Sequence, residues 1–235
     1  LTVTMSDYGE MNVNTIDKPN GTGEVFSVKD MSIGLAYAVH LTDKFAIGLT
    51  GKYISQSIWR MDASAVAVDI GVKYITPFDG AILAMSITNF GSDMKLDGAT
   101  TVVLHDIDPD HDGNNYKVPA YLETEGWALP LNFRVGIAYT PVKVNNHLLN
   151  VAVDAQVPND NFESINVGAE YSYNDFVFLR GGYQSLGLTD SEVGMTLGLG
   201  VKQKLVGNFA IVLDYAYADF GRLDYVQKIS VGLQF

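Results

Sequence analysis

The stretch MSIGLAYAVHL, residues Met31 to Leu41, puts an apolar side chain at every odd position: Met31, Ile33, Leu35, Tyr37, Val39 and Leu41. Its even positions are Ser32, Gly34, Ala36, Ala38 and His40. A repeat of two is the signature of a β-strand, whose successive side chains leave on opposite faces. The same alternation sets Leu129, Leu131, Phe133, Val135, Ile137 and Tyr139 against Pro130, Asn132, Arg134, Gly136 and Ala138. Followed outward in both directions, it predicts twelve strands, at about residues 1–8, 28–41, 45–59, 62–75, 81–91, 129–140, 147–157, 164–173, 176–184, 193–202, 209–218 and 225–235. No helical period competes with it. The Gly-rich run Gly194 to Gly200 alternates with apolar residues as a strand does, not as a phosphate-cradling loop.

Alternation alone also fits a soluble β-sandwich. Two features argue against one. The segments run to about 9–14 residues, whereas soluble strands cluster near 5 or 6 and a tilted membrane-spanning strand needs about 9–11. The face opposite the apolar one carries mainly Gly, Ala, Ser, Thr and Asn with scattered charges, which suits a crowded interior better than a solvated surface. The 235 residues are 47% hydrophobic and contain no run near the roughly 18 apolar residues of a membrane helix, so any spanning structure is made of strands. The expected fold is therefore all-β: one transmembrane antiparallel β-barrel domain over residues 1–235.

The connections support this reading, because outer-membrane barrels alternate short periplasmic turns with longer extracellular loops. With the C-terminus on the periplasmic side, the turns are 42–44, 76–80, 141–146, 174–175 and 203–208. The opposite set is 9–27, 92–128, 158–163, 185–192 and 219–224, together with a tight link at 60–61 inside a hairpin, Tyr53 to Ser64, that would rise beyond the bilayer. Charge sorts by side: the five long loops carry a net −13 and the five turns sum to zero, in a chain of net −12. Loop 92–128 is an acidic flap, with Asp93, Asp97, Asp106, Asp108, Asp110, Asp112, Glu123 and Glu125 against Lys95 and Lys117.

Aromatic residues on the apolar face gather near strand ends, as rings at the headgroup level do. Phe45, Tyr74, Tyr139, Tyr171, Tyr173 and Phe209 fall toward the periplasmic side, and Trp59, Tyr215, Tyr217 and Tyr225 toward the outer side. The last strand sets Tyr225, Ile229, Val231, Leu233 and Phe235 on one face. That is the form of a C-terminal barrel-assembly signal, carried by Tyr225, Leu233 and Phe235. These features predict residence in the bacterial outer membrane.

Several stretches resemble the PorV/PorQ family of outer-membrane barrels, relatives of the FadL fatty-acid channels: Gly34 to Ile54, Ile87 to Gly98, Leu129 to Val142, Asn166 to Tyr183 and Leu213 to Phe235. The resemblance implies a 14-stranded barrel with a lumen plug near its N-terminus, and hence two strands before Leu1. It also implies type IX secretion, in which PorV-like members receive exported proteins and pass them to a surface sortase, while FadL-like relatives admit hydrophobic molecules.

On the polar faces the alternation places Lys52, Asp69, Lys73, Arg134, Asp154, Glu170, Arg180, Lys202, Asp214 and Lys228. Buried charges need partners, so this mixed set reads either as a self-satisfied network that fills the barrel or as a polar path for a substrate. Asp108, Asp110, Asp112 and Gly113 open like a calcium loop, but position twelve is Pro119 where a bidentate Glu belongs; a looser site would recruit Asp106. The four histidines, His40, His105, His111 and His147, assemble with no nucleophile and base into a catalytic set, so no enzyme and no cofactor are expected. With no Cys there is neither a disulfide framework nor a thiolate metal site.

Three functions remain open. A secretion-system barrel would dock cargo or surface partners, basic on the docking face, through its outer loops. A channel for hydrophobic molecules would need an apolar pocket inside, and the inward residues read from the alternation are mostly small or charged. A surface structural β-protein would pack its apolar faces on each other. Outer-membrane lipid and a protein partner are expected, and no nucleic acid.

Overall fold

The computed structural model describes all residues except 79, 112, 114–116, 189–190, 206–208 and 235, together with the side chain at 223. It is antiparallel sheet almost throughout. Five strands come first: β1 (Thr2–Asn12), β2 (Val25–Thr42), β3 (Phe45–Ile58), β4 (Met61–Ile75) and β5 (Ala81–Gly91). Five short ones lie in the acidic flap: β6 (Met94–Lys95), β7 (Asp97–Gly98), β8 (Val102–His105), β9 (Val118–Tyr121) and β10 (Gly126–Trp127). Seven follow: β11 (Asn132–Val144), β12 (His147–Pro158), β13 (Ser164–Tyr173), β14 (Val177–Leu186), β15 (Met195–Lys204), β16 (Ala210–Asp219) and β17 (Tyr225–Gln234). In the main sheet the twelve long strands follow chain order, with β11 next to β5 and β7 attached to β4.

All twelve strands expected from the alternation are present, with shifted ends. Loop 9–27 narrows to 13–24, because β1 continues past a bulge between Asp7 and Glu10. Gly9 makes that bulge at φ 78°, where a side chain would be strained, and its N–H donates to Asp7 Oδ1 at 2.9 Å. Loop 92–128 is not a plain loop. β6 pairs with β10, β8 with β9, and Asp97 and Gly98 with Asp62 and Met61. The tight link is the two-residue turn Trp59 and Arg60, with the guanidinium over the indole ring.

Burial is inverted relative to a soluble protein. Along β4, Ala63, Ala65 and Ala67 are buried while Val66, Val68 and Ile70 between them are exposed, Val66 by 60% against 4% for Ala65. Along β2, Leu35 and Tyr37 are 70% and 72% exposed. Large apolar residues thus cover the open face of strand after strand. In water such a surface drives association, whereas in a bilayer it is the lipid-facing band. Among the described residues no helix is long and apolar enough to cross a membrane, so the strands do the spanning.

The chain divides into two compact units. One comprises Leu1–Ala38, Gly48–Ile70 and Thr88–Leu131, and the other Val39–Ile47, Gly71–Ile87 and Asn132–Phe235. The first holds the small core cluster: Ala63, Ala65 and Ala67 under Met94 and Leu129, with Ile54 and Leu96 packed against them. Alanine suits those three positions because the flap lies directly on β4. At Gly91 and Gly98 an added Cβ would strike the backbone carbonyls of Val66 and Arg60.

Candidate functional site

In the second unit, the polar face of β13 to β16 is organised around Arg180. Register places Arg180 opposite Glu170 on β13 and Gly198 on β15. Its Nε donates to Glu170 Oε2 at 2.7 Å, and its Nη1 donates to Asp214 Oδ1 on β16 at 2.6 Å. The guanidinium crosses a whole strand to do so, which Gly198 and Gly200 permit. A Cβ at Gly198 would lie 3.2 Å from Arg180 Cβ, and one at Gly200 only 3.0 Å from Nη1. Asn150 extends the chain, accepting a bond from Thr140 Oγ1 at 2.8 Å and donating to Glu170 at 3.5 Å.

A second group lies two same-face register steps, four residues, toward the loops. Asp154 accepts from Asn166 Nδ2 at 3.0 Å and pairs with Arg134 at 3.5 Å, and Arg134 donates to Gln156 at 2.6 Å. Asn166 Oδ1 accepts the N–H of Ser185, which sits at φ 54° beside a register shift between β13 and β14.

Between the two groups runs a belt of small residues. Ala138, Ala152, Gly168, Gly182, Thr196 and Ala218 are successive cross-strand partners on six neighbouring strands. With no large side chain at this level, the face is hollowed into a groove of about 530 Å³, bordered by Asp154, Asn166, Glu170 and Arg180. The paired charges form its rims, and Gly and Ala its floor.

The first unit has its own polar node. Lys52 Nζ pairs with Asp69 Oδ1 at 2.7 Å, both side chains largely buried, and donates to Asn89 Oδ1. Asn89 lies within β5 at φ 62°, a left-handed conformation that Asn tolerates better than most residues. Its N–H donates to Asp69 at 2.8 Å and its Nδ2 to the carbonyl of Pro130 at 2.9 Å. Toward the loop ends of β1 to β3 is a separate cavity of about 400 Å³. Its apolar wall is Met11, Val28, Ile58, Leu96 and Trp127, and Tyr8, Asp30 and Gln56 supply its polar atoms.

Among the described residues the charges read from the sequence pair in separate groups. Lys52 and Asp69 pair in the first unit; Arg134 with Asp154, and Arg180 with Glu170 and Asp214, pair in the second. Lys202 turns to Asp175 in the β13–β14 turn at 3.3 Å, where Lys204 also lies at 2.8 Å. These lysines, Lys204 foremost, hold the Asp175 carboxyl below its ordinary range. Lys73 and Lys228 make no ion pair among the described residues, although Lys228 shares the register row of Arg180 through Ala216 and Gly198. Asn89, Asn150, Asn166 and Gln156 are the members that alternation missed. As uncharged residues in polar rows they carried no signal beyond their face.

In the flap, Asp108 pairs with His111 at 3.0 Å and Asp106 Oδ1 accepts the N–H of Asp108 at 3.1 Å, while Asp110 is exposed and Asp112 lies outside the described residues. No group of three metal-ligating side chains gathers among the described residues. His147 Nδ1 lies 2.6 Å from the Tyr171 hydroxyl, near Tyr173, among the aromatic residues at the turn ends of β12 and β13. Tyr225 and Leu233 stand exposed on β17, Tyr225 stacking on Tyr217, and Phe235 lies outside the described residues.

Neither a family model nor a curated protein matches the sequence. Among solved structures, the CymD monoaromatic hydrocarbon channel aligns over 89% of this chain and 73% of its own, at 10% identity and a TM-score of 0.50. The chain has the fold of an outer-membrane β-barrel. A triple mutant of the Rhodopseudomonas blastica porin aligns more loosely, over 100% of this chain and 99% of its own, at 10% identity and a TM-score of 0.34. The fold explains the inverted burial: the exposed apolar face of each strand meets lipid, and within each unit the polar node lies on the opposite face of its strands. The protein resides in the outer membrane.

Proposed function

We propose that the protein is a non-enzymatic outer-membrane channel for small, largely apolar molecules. The observation that carries this reading is that each unit is hollowed: the first by an apolar cavity of about 400 Å³ near the loops, and the second by an open groove of about 530 Å³ floored by Gly and Ala. Cavities of a few hundred Å³ with apolar walls and few polar groups are the usual form of a small-molecule site. The alternation alone had counted against a channel, because Leu96 and Trp127 belong to the flap and Met11 to a strand end beyond a bulge, so no inward apolar pocket could be read from it. The likeness to a hydrocarbon channel is one of fold, and it agrees with this reading. The test is entry of a hydrophobic dye that fluoresces in apolar surroundings, N-phenylnaphthylamine, into cells bearing the full-length protein. Gly168 has room for a side chain, and Gly168→Trp is expected to fill the groove and slow entry at least ~10-fold while the barrel still folds. Equal entry with and without the protein overturns the reading.

A second reading rests on the flap. Leu104, Ile107, Tyr121 and Leu122 are all more than half exposed there, outside the strands that span the membrane. An exposed apolar patch on an acidic loop suits a protein partner with basic and apolar groups, in line with the resemblance to secretion-associated barrels. Deleting residues 102–122 would abolish capture of exported proteins on this reading and leave dye entry intact.

A further inference from the structure

The cavity beside Trp127 contains one feature that a site for neutral hydrocarbons does not need. Asp30 of β2, half-buried, lines the cavity together with Val28, Leu96 and Trp127. Its Oδ2 accepts a 2.8 Å hydrogen bond from the Tyr8 hydroxyl, and among the described residues no cation pairs with it. The basic residues of this region are engaged elsewhere. Lys29, its sequence neighbour, pairs with Asp7 at 3.8 Å, and Arg60, in the turn after β3, pairs with Glu24 at 2.8 Å. Lys95, adjacent to Leu96, lines a different groove with Asp62, Asp93 and Asp97.

The carboxylate faces this open cavity with a phenol as its hydrogen-bond partner, so a cation entering beside it meets a charge that no described residue pairs. The remaining wall is an indole and aliphatic side chains. An indole face attracts cations through its quadrupole, and a carboxylate within the same cavity adds a full charge. The flap that supplies Leu96 and Trp127 is itself acidic, with eight carboxylates against two lysines, and enriches cations from solution.

We propose that this cavity binds a small amphiphilic cation, an ammonium group on an aromatic or short aliphatic body, with the ammonium at Asp30 and the apolar body against Trp127, Met11 and Ile58. The flap braces the site. Thr124 Oγ1 donates to the Leu96 carbonyl at 2.5 Å, and β10 ties Trp127 to Met94, which is 2% exposed in the core cluster. The ligand class rests on the channel reading for its purpose, since such a site would select what enters.

The test uses the full-length protein in detergent with Trp59→Phe, which leaves Trp127 as the only fluorophore of its kind in this sequence. Phenethylammonium, propylbenzene and 3-phenylpropionate are titrated while Trp127 emission is followed. Saturable quenching by phenethylammonium is expected at least ~10-fold tighter than by propylbenzene, with the phenylpropionate anion weakest. Asp30→Asn, whose amide oxygen still accepts from Tyr8, is expected to erase the preference and leave propylbenzene unchanged. No saturable quenching by phenethylammonium, or a preference that survives Asp30→Asn, overturns the proposal. Dye entry separates the two readings. Binding without entry sinks the channel and keeps the site, and entry without ammonium binding does the reverse.

Discussion

Arg180 and Asp214 meet at 2.6 Å although a complete strand, β15, separates β14 from β16. The contact exists because Gly198 and Gly200 leave β15 bare on that face, so the pair depends on two residues that take no part in it. At Gly200 an added Cβ would stand 2.5 Å from Asp214 Oδ1. Gly200→Ala is therefore expected to lower the temperature at which the folded gel band converts to the unfolded one, about as much as Asp214→Asn does. Either change should cost about 1–2 kcal/mol, below the range for a fully buried pair, because both side chains are about a third exposed. Combining Gly200→Ala with Asp214→Asn should cost less than the sum of the two. Strict additivity would show that the glycine acts through something other than this pair.

Asn89 is expected to be the most sensitive position of the first unit's polar node. It holds a left-handed backbone and serves Lys52, Asp69 and Pro130 together. Asn89→Gly keeps the backbone and loses two side-chain bonds; Asn89→Ala loses the bonds and strains the backbone as well. Alanine should therefore be worse than glycine by about 1 kcal/mol, in the opposite order to their usual ranking in strands. Chemical unfolding of the two variants in detergent checks the order, and glycine proving the worse would remove the backbone part of the argument.

Much of this fold was legible because period two survives in each strand independently of its neighbours. Leu35 and Tyr37 announce a lipid-facing face without reference to any partner. Partnerships are another matter. That Arg180 reaches Asp214 depends on the register of three strands and on two glycines, and register follows from turn geometry and bulges that alternation does not encode. Ser185 and Gly9, both at positive φ, mark places where the odd-even count slips. The Trp127 cavity was least legible of all. It is built where β1 to β3 meet a flap whose acidic composition reads as solvated loop, while Met94, Leu96 and Trp127 inside it are core and wall. In the calcium-like run, composition pointed to a ligand set, yet Asp108 is engaged with His111.

One loop clip has a defined pH range. Glu192 accepts the N–H of Arg222 at 3.0 Å and its Nε at 2.6 Å, and that backbone bond first, then the guanidinium, holds the Glu192 carboxyl below the ordinary glutamate range. A carboxyl whose folded pKa is depressed contributes its stabilisation fully above the unfolded value and loses it as pH falls through the lowered folded value. Loop 219–224 should therefore stay pinned from alkaline pH into mild acid and loosen only below the usual glutamate range. Asp175 behaves with the same sign in the β13–β14 turn, against Lys204 and Lys202. Hydrogen exchange of residues 219–224, corrected for the intrinsic pH dependence, should be flat from pH 8 to about 5. Glu192→Gln should exchange at neutral pH as the parent does in strong acid. A parent loop that loosens already near pH 6 would mean that another group controls it.

The flap lies close on β4. Gly98 lies against the Arg60 carbonyl so tightly that a Cβ there has no room, and Ala99 N–H donates to that same carbonyl at 3.2 Å. Gly98→Ala must lift residues 97 and 98 off Asp62 and Met61, and with them the stretch that carries Leu96 and Met94. Met94 is nearly inaccessible, so lifting it exposes both its side chain and Ala63, Ala65 and Ala67 beneath. The barrel strands keep their own ladders, so the variant should still run as a folded band on a gel without heating. Oxidation of Met94 by dilute peroxide, read by peptide mass, should rise at least ~10-fold, whereas Met31, already on the sheet, should oxidise as before. Trp127 emission should shift to longer wavelength as β10 loses β6. If Met94 stays protected in Gly98→Ala, the flap is held by its own hairpins and the Ala cluster is not what seats it.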